Sequence, residues 1–291
     1  MSTPTDPPRR TYALVTPSHA LDFERCRILV ESIRRSAAEG IDHYMVVDRR
    51  DEQLFGVLRS RRTHLVVKQD ILPPWLYQIP FRPKWWLNLK GLPVRGWIIQ
   101  QLVKLSIDAI TDADVCVFLD SDTIVTRRFD PRGAEREGKV PLFKEILPAE
   151  LGHNNRWHAA AGRLLGLAPR RTYLTSYVSI PLTWRRENVI KLHRHIEHTT
   201  GRGWVESLCG LGTLSECVLY GRFCAEILRE QSGHYFDDTV QMLSYWGTTP
   251  LDDAGLRVMR AGMRAEHVCA MVSARSNTPL DAVRRAFDVE P

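Results

Sequence analysis

The sequence predicts an α/β protein: a mostly parallel sheet flanked by helices, in a single domain with an elaborated second half. Three observations carry this. The 291 residues, 44% hydrophobic and 9% aromatic, suffice for one large core without requiring a second domain. In the first half, short apolar runs of strand character alternate with stretches of helical period, the pattern of parallel strands beneath covering helices. Several of those runs end in acidic residues, Asp48, Asp120 and Asp122 among them, where such sheets bind ligands.

The elements follow in order. "TYALVTP" (11–17) is a strand closed by Pro17. "LDFERCRILVESIRR" (21–35) is a helix, with Leu21, Cys26, Leu29, Val30 and Ile33 near helical spacing. "HYMVVD" (43–48) and "THLVVK" (63–68) are strands on either side of a short helix in "DEQLFGVLRSR" (51–61). "GWIIQQLVKLSIDAI" (96–110) is an amphipathic helix leading into the strand "DVCVFLDSD" (114–122). Between Ile71 and Trp97 prolines break any helix, and four of the eight tryptophans fall there. A Pro-rich aromatic insertion of this length is either a substrate-facing loop or a cover for the core. Membrane contact is a third role for it, weaker for want of a clean amphipathic helix.

Beyond residue 150 the pattern is less regular. "HNNRWHAAAGRLLG" (153–166) contains a short helix. "TSYVSIPLTWRRENVIKLHRHIEH" (175–198) gives a strand and then a helix from about Arg186, whose His193, His195 and His198 read as a solvated basic face. "GWVESLCGLGTLSECVLYGRFCAEILRE" (203–230) gives a Gly-rich turn and a long helix from about Leu214.

Charge and cysteines narrow the classes. The net charge of +6 comes from short scattered basic groups, with no long Lys/Arg tract and no nucleic-acid-binding motif. The six cysteines contain no C-x-x-C pair, so neither a zinc site nor a disulfide framework is expected, and a reducing cytoplasm is. "MSTPTDPPRR" (1–10) reads as a flexible polar tail, and no apolar stretch reaches the ~20 residues of a membrane span. The expected location is cytoplasmic, at most peripheral at the inner face of a membrane.

The chemistry concentrates in "CVFLDSDTIV" (116–125). Buried carboxylates are costly unless paired, so an apolar strand that delivers two aspartates to its own end needs a reason. Strand period puts Asp120 and Asp122 on one face and turns Ser121 away. Two such carboxylates make a hard oxygen site for Mg²⁺ or Mn²⁺.

"FLDSDTIV" after an α/β half resembles the Asp-x-Asp motif of GT-A glycosyltransferases. Together with "RGWIIQQLVKL" upstream and "SECVLYGRF" downstream, it is similar to a family of bacterial GT-A-like proteins of mostly undefined activity. The resemblance implies a Rossmann-like GT-A fold, a UDP- or GDP-sugar donor, and Mn²⁺ or Mg²⁺ as the metal. The acceptor would be a glycan, polysaccharide or lipid-linked hydroxyl. Asp122 would hold the metal, with Asp120 as second ligand or ribose contact and Ser121 beside them. Lys104 would bind a diphosphate oxygen, with Arg95 as a further candidate and Gln100 and Gln101 as hydrogen-bond partners of the donor. Thr16, Ser18 and His19 would surround the base, and Asp48 would accept from base or ribose. Glu216 would be the acceptor-side carboxylate, with Asp237 and Asp238 as rivals. Its concrete structural alternative is a capping box, "TLSE", in which Thr213 caps the helix. His267 would be a third metal ligand, with His234 as the alternative. Residues 11–130 would form the donor half, and 131–291 the acceptor-binding, site-closing half of the same domain.

Two other classes compete. Residues 120–124 can be set against the D-x-D-x-T pattern of haloacid-dehalogenase-type phosphatases, with Asp120 as nucleophile and Asp122 as general acid/base. A non-catalytic sugar-binding protein would use the aromatic segment but leave the acidic strand end unexplained.

Overall fold

The computed structural model describes residues 10–79 and 85–289. Positions 1–9 of the expected tail and 80–84 of the aromatic segment therefore lie outside the described residues.

The central sheet has five strands: β1 (Tyr12–Pro17), β2 (Asp42–Val47), β3 (Thr63–Val67), β4 (Val115–Phe118) and β5 (Leu182–Arg185). Their spatial order is β5-β4-β1-β2-β3. The first four run parallel, and β5 is antiparallel to β4, with Leu182 opposite Phe118. The predicted α/β class, a mostly parallel sheet between helices, is what the chain adopts.

Strand period explains why β1 and β4 are so apolar: both their faces are covered. Tyr12, Leu14, Val115 and Val117 pack with Leu29 and Ile33 of α1 (Phe23–Ser36). Val15, Cys116 and Phe118 point the other way, into a core shared with Ile99, Leu102 and Val103 of α2 (Gly96–Leu105) and Val189 and Leu192 of α3 (Arg186–Thr200). From β1 the chain winds outward to β2 and β3, then returns on the other side of β1 as β4. The winding reverses between β1 and β4, and a crevice opens beyond their carboxyl ends.

The second half is built into the first. It supplies β5, and its strand Cys269–Val272 pairs antiparallel with Thr123–Val125, the segment just after the acidic pair. Met242–Tyr245 completes that second sheet.

Several local expectations change. The helix over 96–110 breaks at Ser106, whose Oγ donates to the Leu102 carbonyl at 2.8 Å and competes with the helix ladder. Of the three histidines on the expected solvated face, His198 is exposed, His195 is half-buried and only His193 is withdrawn from water. His193 is buried, stacks on Trp204 and bonds the Leu105 carbonyl through Nε2, and His195 Nε2 bonds that of Leu165. The long helix expected from Leu214 begins at Glu216 as α4 (Glu216–Arg222) and continues as a π-helical turn over Phe223–Leu228. The aromatic segment is an antiparallel meander of Leu76–Gln78, Trp85–Asn88 and Val94–Arg95. All six cysteines are buried and unpaired, and among the described residues no helix is long and apolar enough to cross a membrane.

Candidate active site

The acidic pair sits in a turn, not on an extended strand. Regular pairing of β4 stops at Phe118, although the Leu119 N–H still donates to the Val15 carbonyl at 3.1 Å. The Thr123 N–H then donates to the Asp120 carbonyl at 3.0 Å and closes a tight turn over Asp120–Thr123. Strand period therefore does not align Asp120 with Asp122. The turn nevertheless keeps them close. Burial raises the Asp122 carboxyl to about 6, the charges of Asp120 and Asp22 add to the rise, and its own backbone N–H and Arg25 oppose it. Ser121 is not turned away to solvent: it is buried, and its Oγ donates to Asp22 Oδ2 at 3.2 Å. That same oxygen lies 3.3 Å from His19 Nδ1. Asp22 thus ties the loop after β1 to the turn after β4. Sequence reasoning missed it, although its place in the loop between the end of β1 at Pro17 and the start of α1 was a usable signal.

Lys104 is the pivot of the site. Its ammonium lies 3.3 Å from Asp120 Oδ1 and 3.1 Å from Glu216 Oε1. Burial by itself favours the neutral amine, but the two carboxylates outweigh it and hold Lys104 protonated well above its usual range. Asp120 is half-exposed while Glu216 is buried, so one partner of the lysine faces the crevice and the other backs it. Gln101 is buried and does not face a donor; its Oε1 accepts from the Glu216 N–H at 2.9 Å and fixes α4 against α2. The capping box is not formed. Ser215 is the N-cap, its Oγ accepting from the Val218 N–H, and Glu216 is the first helical residue. Its carboxylate goes to Lys104 instead.

Beside this cluster lies a cleft of ≈860 Å³ over the ends of β1, β2 and β3 and the start of α2. Of the predicted donor residues, Ser18, His19, Arg95 and Gln100 line it. Thr16 does not: it is buried beneath the cleft with its hydroxyl 2.9 Å from His43 Nε2. Asp48 does not either. It is buried, 2.9 Å from the Lys68 ammonium, and accepts from Gln69 Nε2 at 3.0 Å and from the Arg50 N–H. These bonds hold its carboxyl below the usual range even though burial pushes it up. What Asp48 contributes is Lys68, which lines the cleft and sits 5.2 Å over the ring of Trp86. The aromatic segment divides between its two expected roles: Trp86 is buried in the core, and Trp85 is exposed at the cleft wall with the Arg95 guanidinium 5.7 Å over its ring.

Four predicted residues lie apart. The register that pairs Thr123 with Met271 and Val125 with Cys269 carries His267 to the level of Arg127, five residues from Asp122 and about 16 Å along the strand. His267 Nδ1 accepts from the Arg264 N–H, so it is not a ligand at the acidic turn. His234 is buried with both ring nitrogens engaged, by the Tyr220 hydroxyl and the Val140 carbonyl, and burial lowers it to about 3. Asp237 ends a strand and caps its own turn at the Thr239 N–H, and Asp238 is exposed; no hydrogen bond or ion pair among the described residues joins either to Lys104, Asp120 or Asp122. The phosphatase pattern fails in sequence too, because position 124, which it requires to be threonine, is the buried Ile124.

Among the described residues no three His, Cys, Asp or Glu side chains are set to cage a metal ion. Asp120 and Asp122 nonetheless fit a hard divalent cation of the Mg²⁺ type, which is characteristically held by one or two carboxylates plus substrate phosphates. The crowding of Asp22, Asp120 and Asp122 is the local excess of negative charge that such an ion relieves.

A sequence profile described as a family of unknown function (DUF6492) matches residues 13–249. No curated protein matches in sequence. Among solved structures, the chain is similar to the galactosyltransferase LgtC in complex with donor and acceptor sugar analogues, at 11% identity and TM-score 0.47, over 95% of this chain and 94% of that one. An active-site mutant of LgtC is similar at 13% identity and TM-score 0.46, with the same coverage.

Proposed function

The chain belongs to the family of unknown function DUF6492, which brings no reaction with it, and we propose from its own residues that it is a glycosyltransferase using a nucleotide-sugar donor. The observation that carries the proposal is Lys104, a protonated lysine held between a half-exposed and a buried carboxylate at the switch point of a parallel sheet, beside a nucleotide-sized cleft.

The residues divide the work. The cleft takes the nucleoside, with Trp85 offering a ring face to the base and Lys68, Arg95 and Gln100 offering donors along its wall. The diphosphate runs toward the turn, where Lys104 meets it. As the bond from sugar to phosphate breaks, negative charge grows on the departing oxygen, and a fixed ammonium stabilises it most at that moment. Asp120 and Asp122 would hold a divalent cation, which when bound supplies further Lewis-acid stabilisation of the same charge. Glu216 is a positioning residue here: buried and pinned to an ammonium, it serves better to aim Lys104 than to take a proton.

Calorimetry or thermal shift with UDP, GDP and other nucleoside diphosphates, each with and without Mn²⁺, tests this. Selective, metal-enhanced binding of one of them, and release of that nucleotide from its sugar conjugate, is the expected outcome. Absence of binding to any of them would overturn the assignment.

A further inference from the structure

We propose that the acceptor is an anionic saccharide, held outside the nucleotide cleft and beside the acidic turn by Arg25, Arg275 and Trp246. This deepens the transferase reading and rests on it. Two registers bring the arginines together. α1 runs alongside the segment 121–125: Asp22 accepts from the Ser121 hydroxyl near the start of the helix, and further along it the Ser32 hydroxyl accepts from the Val125 N–H at 3.0 Å. Arg25 lies one turn after Asp22 and one turn before Ile28, which packs with Ile124, so helical spacing sets it beside Asp122. Its charge is felt there, because Arg25 opposes the rise of the Asp122 carboxyl. The chain after Cys269–Val272 then returns along the same helix. Arg284 meets Glu31 at 2.6 Å, and the Phe287 carbonyl accepts from Arg35 at 3.4 Å. The two segments therefore run parallel, and the loop over 275–278 stands by the first turn of α1.

Neither arginine is spent. Lys104 is taken up by Asp120 and Glu216, and Lys68 by Asp48. Arg25, half-buried, and Arg275, exposed, have no side-chain hydrogen bond or ion pair among the described residues; Arg275 gives only its backbone N–H, to Ser273 Oγ. Guanidinium forks left open beside three carboxylates suit a ligand that brings a carboxylate or phosphate of its own. Trp246 supplies a surface for the sugar ring. The register that pairs Thr123 with Met271 sets Val272 next to Asp122, and Val272 pairs with Tyr245. Trp246 thus follows the row of the acidic turn at two strand spacings, about 10 Å. It is 72% exposed on a pinned turn. The Tyr245 hydroxyl donates to the Thr249 carbonyl at 2.9 Å, and the Tyr245 ring closes over Gly247, where any side chain would collide with it. An indole held out in this way offers an apolar face and a polar edge, the complement of a sugar ring with its C–H face and hydroxyl rim. None of the three residues lines the nucleotide cleft, so donor and acceptor would meet at the acidic turn from separate sites.

Saturation-transfer NMR on the full chain tests this with three probes: methyl β-D-glucuronide, glucose 6-phosphate and the neutral methyl β-D-glucoside. The wild type is expected to bind at least one anionic probe more tightly than the neutral one, and raised salt should narrow the difference. Which anionic probe gives the stronger signal distinguishes a sugar carboxylate from a sugar phosphate. Arg25→Gln with Arg275→Gln should weaken that binding at least about tenfold, to the level of the neutral glucoside, with melting temperature and metal-free nucleotide binding unchanged. Trp246→Ala should weaken the neutral and anionic probes alike, by about two- to tenfold. Equal binding of neutral and anionic probes by the wild type, binding of none of them, or an anionic preference that survives in the double variant would each overturn the proposal. So would loss of metal-free nucleotide binding in the double variant, since the arginines would then serve the donor. Titration of the wild type with nucleoside diphosphates reads the transferase assignment separately, so the two failures are distinguishable.

Discussion

Asp122→Asn separates function from stability at the acidic turn. Holding a carboxyl at about 6 instead of the ordinary aspartate value of 3.8 disfavours the ionised form by about 3 kcal/mol, at about 1.4 kcal/mol per pH unit. The native state binds this proton more tightly than the unfolded chain does. The contribution of Asp122 to stability is therefore best below pH 3.8, falls as pH rises through the window from 3.8 to about 6, and remains a constant penalty above it. Asparagine has the same shape and no charge, so it escapes the penalty. The variant should be more stable than wild type at pH 8 by roughly 1–3 kcal/mol, a gain of about 2–8 °C in melting temperature for a chain of this size. The gain should shrink toward zero near pH 4. In the same melts Mn²⁺ with a nucleoside diphosphate should stabilise the wild type and leave the variant almost unmoved. Scanning fluorimetry across pH 4–8 measures both. A variant less stable than wild type at pH 8 would refute the electrostatic account, and one that keeps the full metal response would remove Asp122 from the metal site.

Other substitutions test the remaining parts. Lys104→Met strands the buried Glu216 carboxylate and should cost about 3–5 kcal/mol in chemical denaturation, with Lys104→Met, Glu216→Gln recovering most of it; additive losses would deny the pairing. Glu216→Gln, if Glu216 positions Lys104, should weaken donor binding and turnover together with an unchanged pH profile. A loss of a hundredfold or more in turnover with intact donor binding would instead make it the general base. Trp86→Ala should destabilise the fold by about 3–5 kcal/mol, and Trp85→Ala should change stability by less than about 0.5 kcal/mol but weaken nucleotide binding. A reversed order would exchange their roles as core and cleft wall.

What the sequence disclosed and what it concealed follow from the range of the forces involved. The parallel core was legible because strand period and two-sided burial are written residue by residue in Leu14, Val15, Val115, Cys116, Val117 and Phe118. The acidic pair was legible because unpaired carboxylates at the end of such a run need a reason. Long-range pairings were not. Nothing local says that Asp48 will be consumed by Lys68, that Thr16 will serve His43, or that Gln101 will hold the backbone of Glu216. His267 failed for the same reason: its distance in sequence suited a ligand, but the register of Cys269–Val272 against Thr123–Val125 sets it at the wrong end of the pair. Lys104 and Glu216 are the informative exception. Each was singled out by residue type, and each had a structural alternative, a surface lysine and a capping glutamate. Both alternatives fail for one cause: 112 positions apart in the chain, the two side chains meet at 3.1 Å in a site too buried to leave either charge alone. A charge that the fold could have left in water, and instead holds against a second carboxylate beside a cleft, costs desolvation that packing alone does not require. That cost is the physical ground for assigning the turn a function.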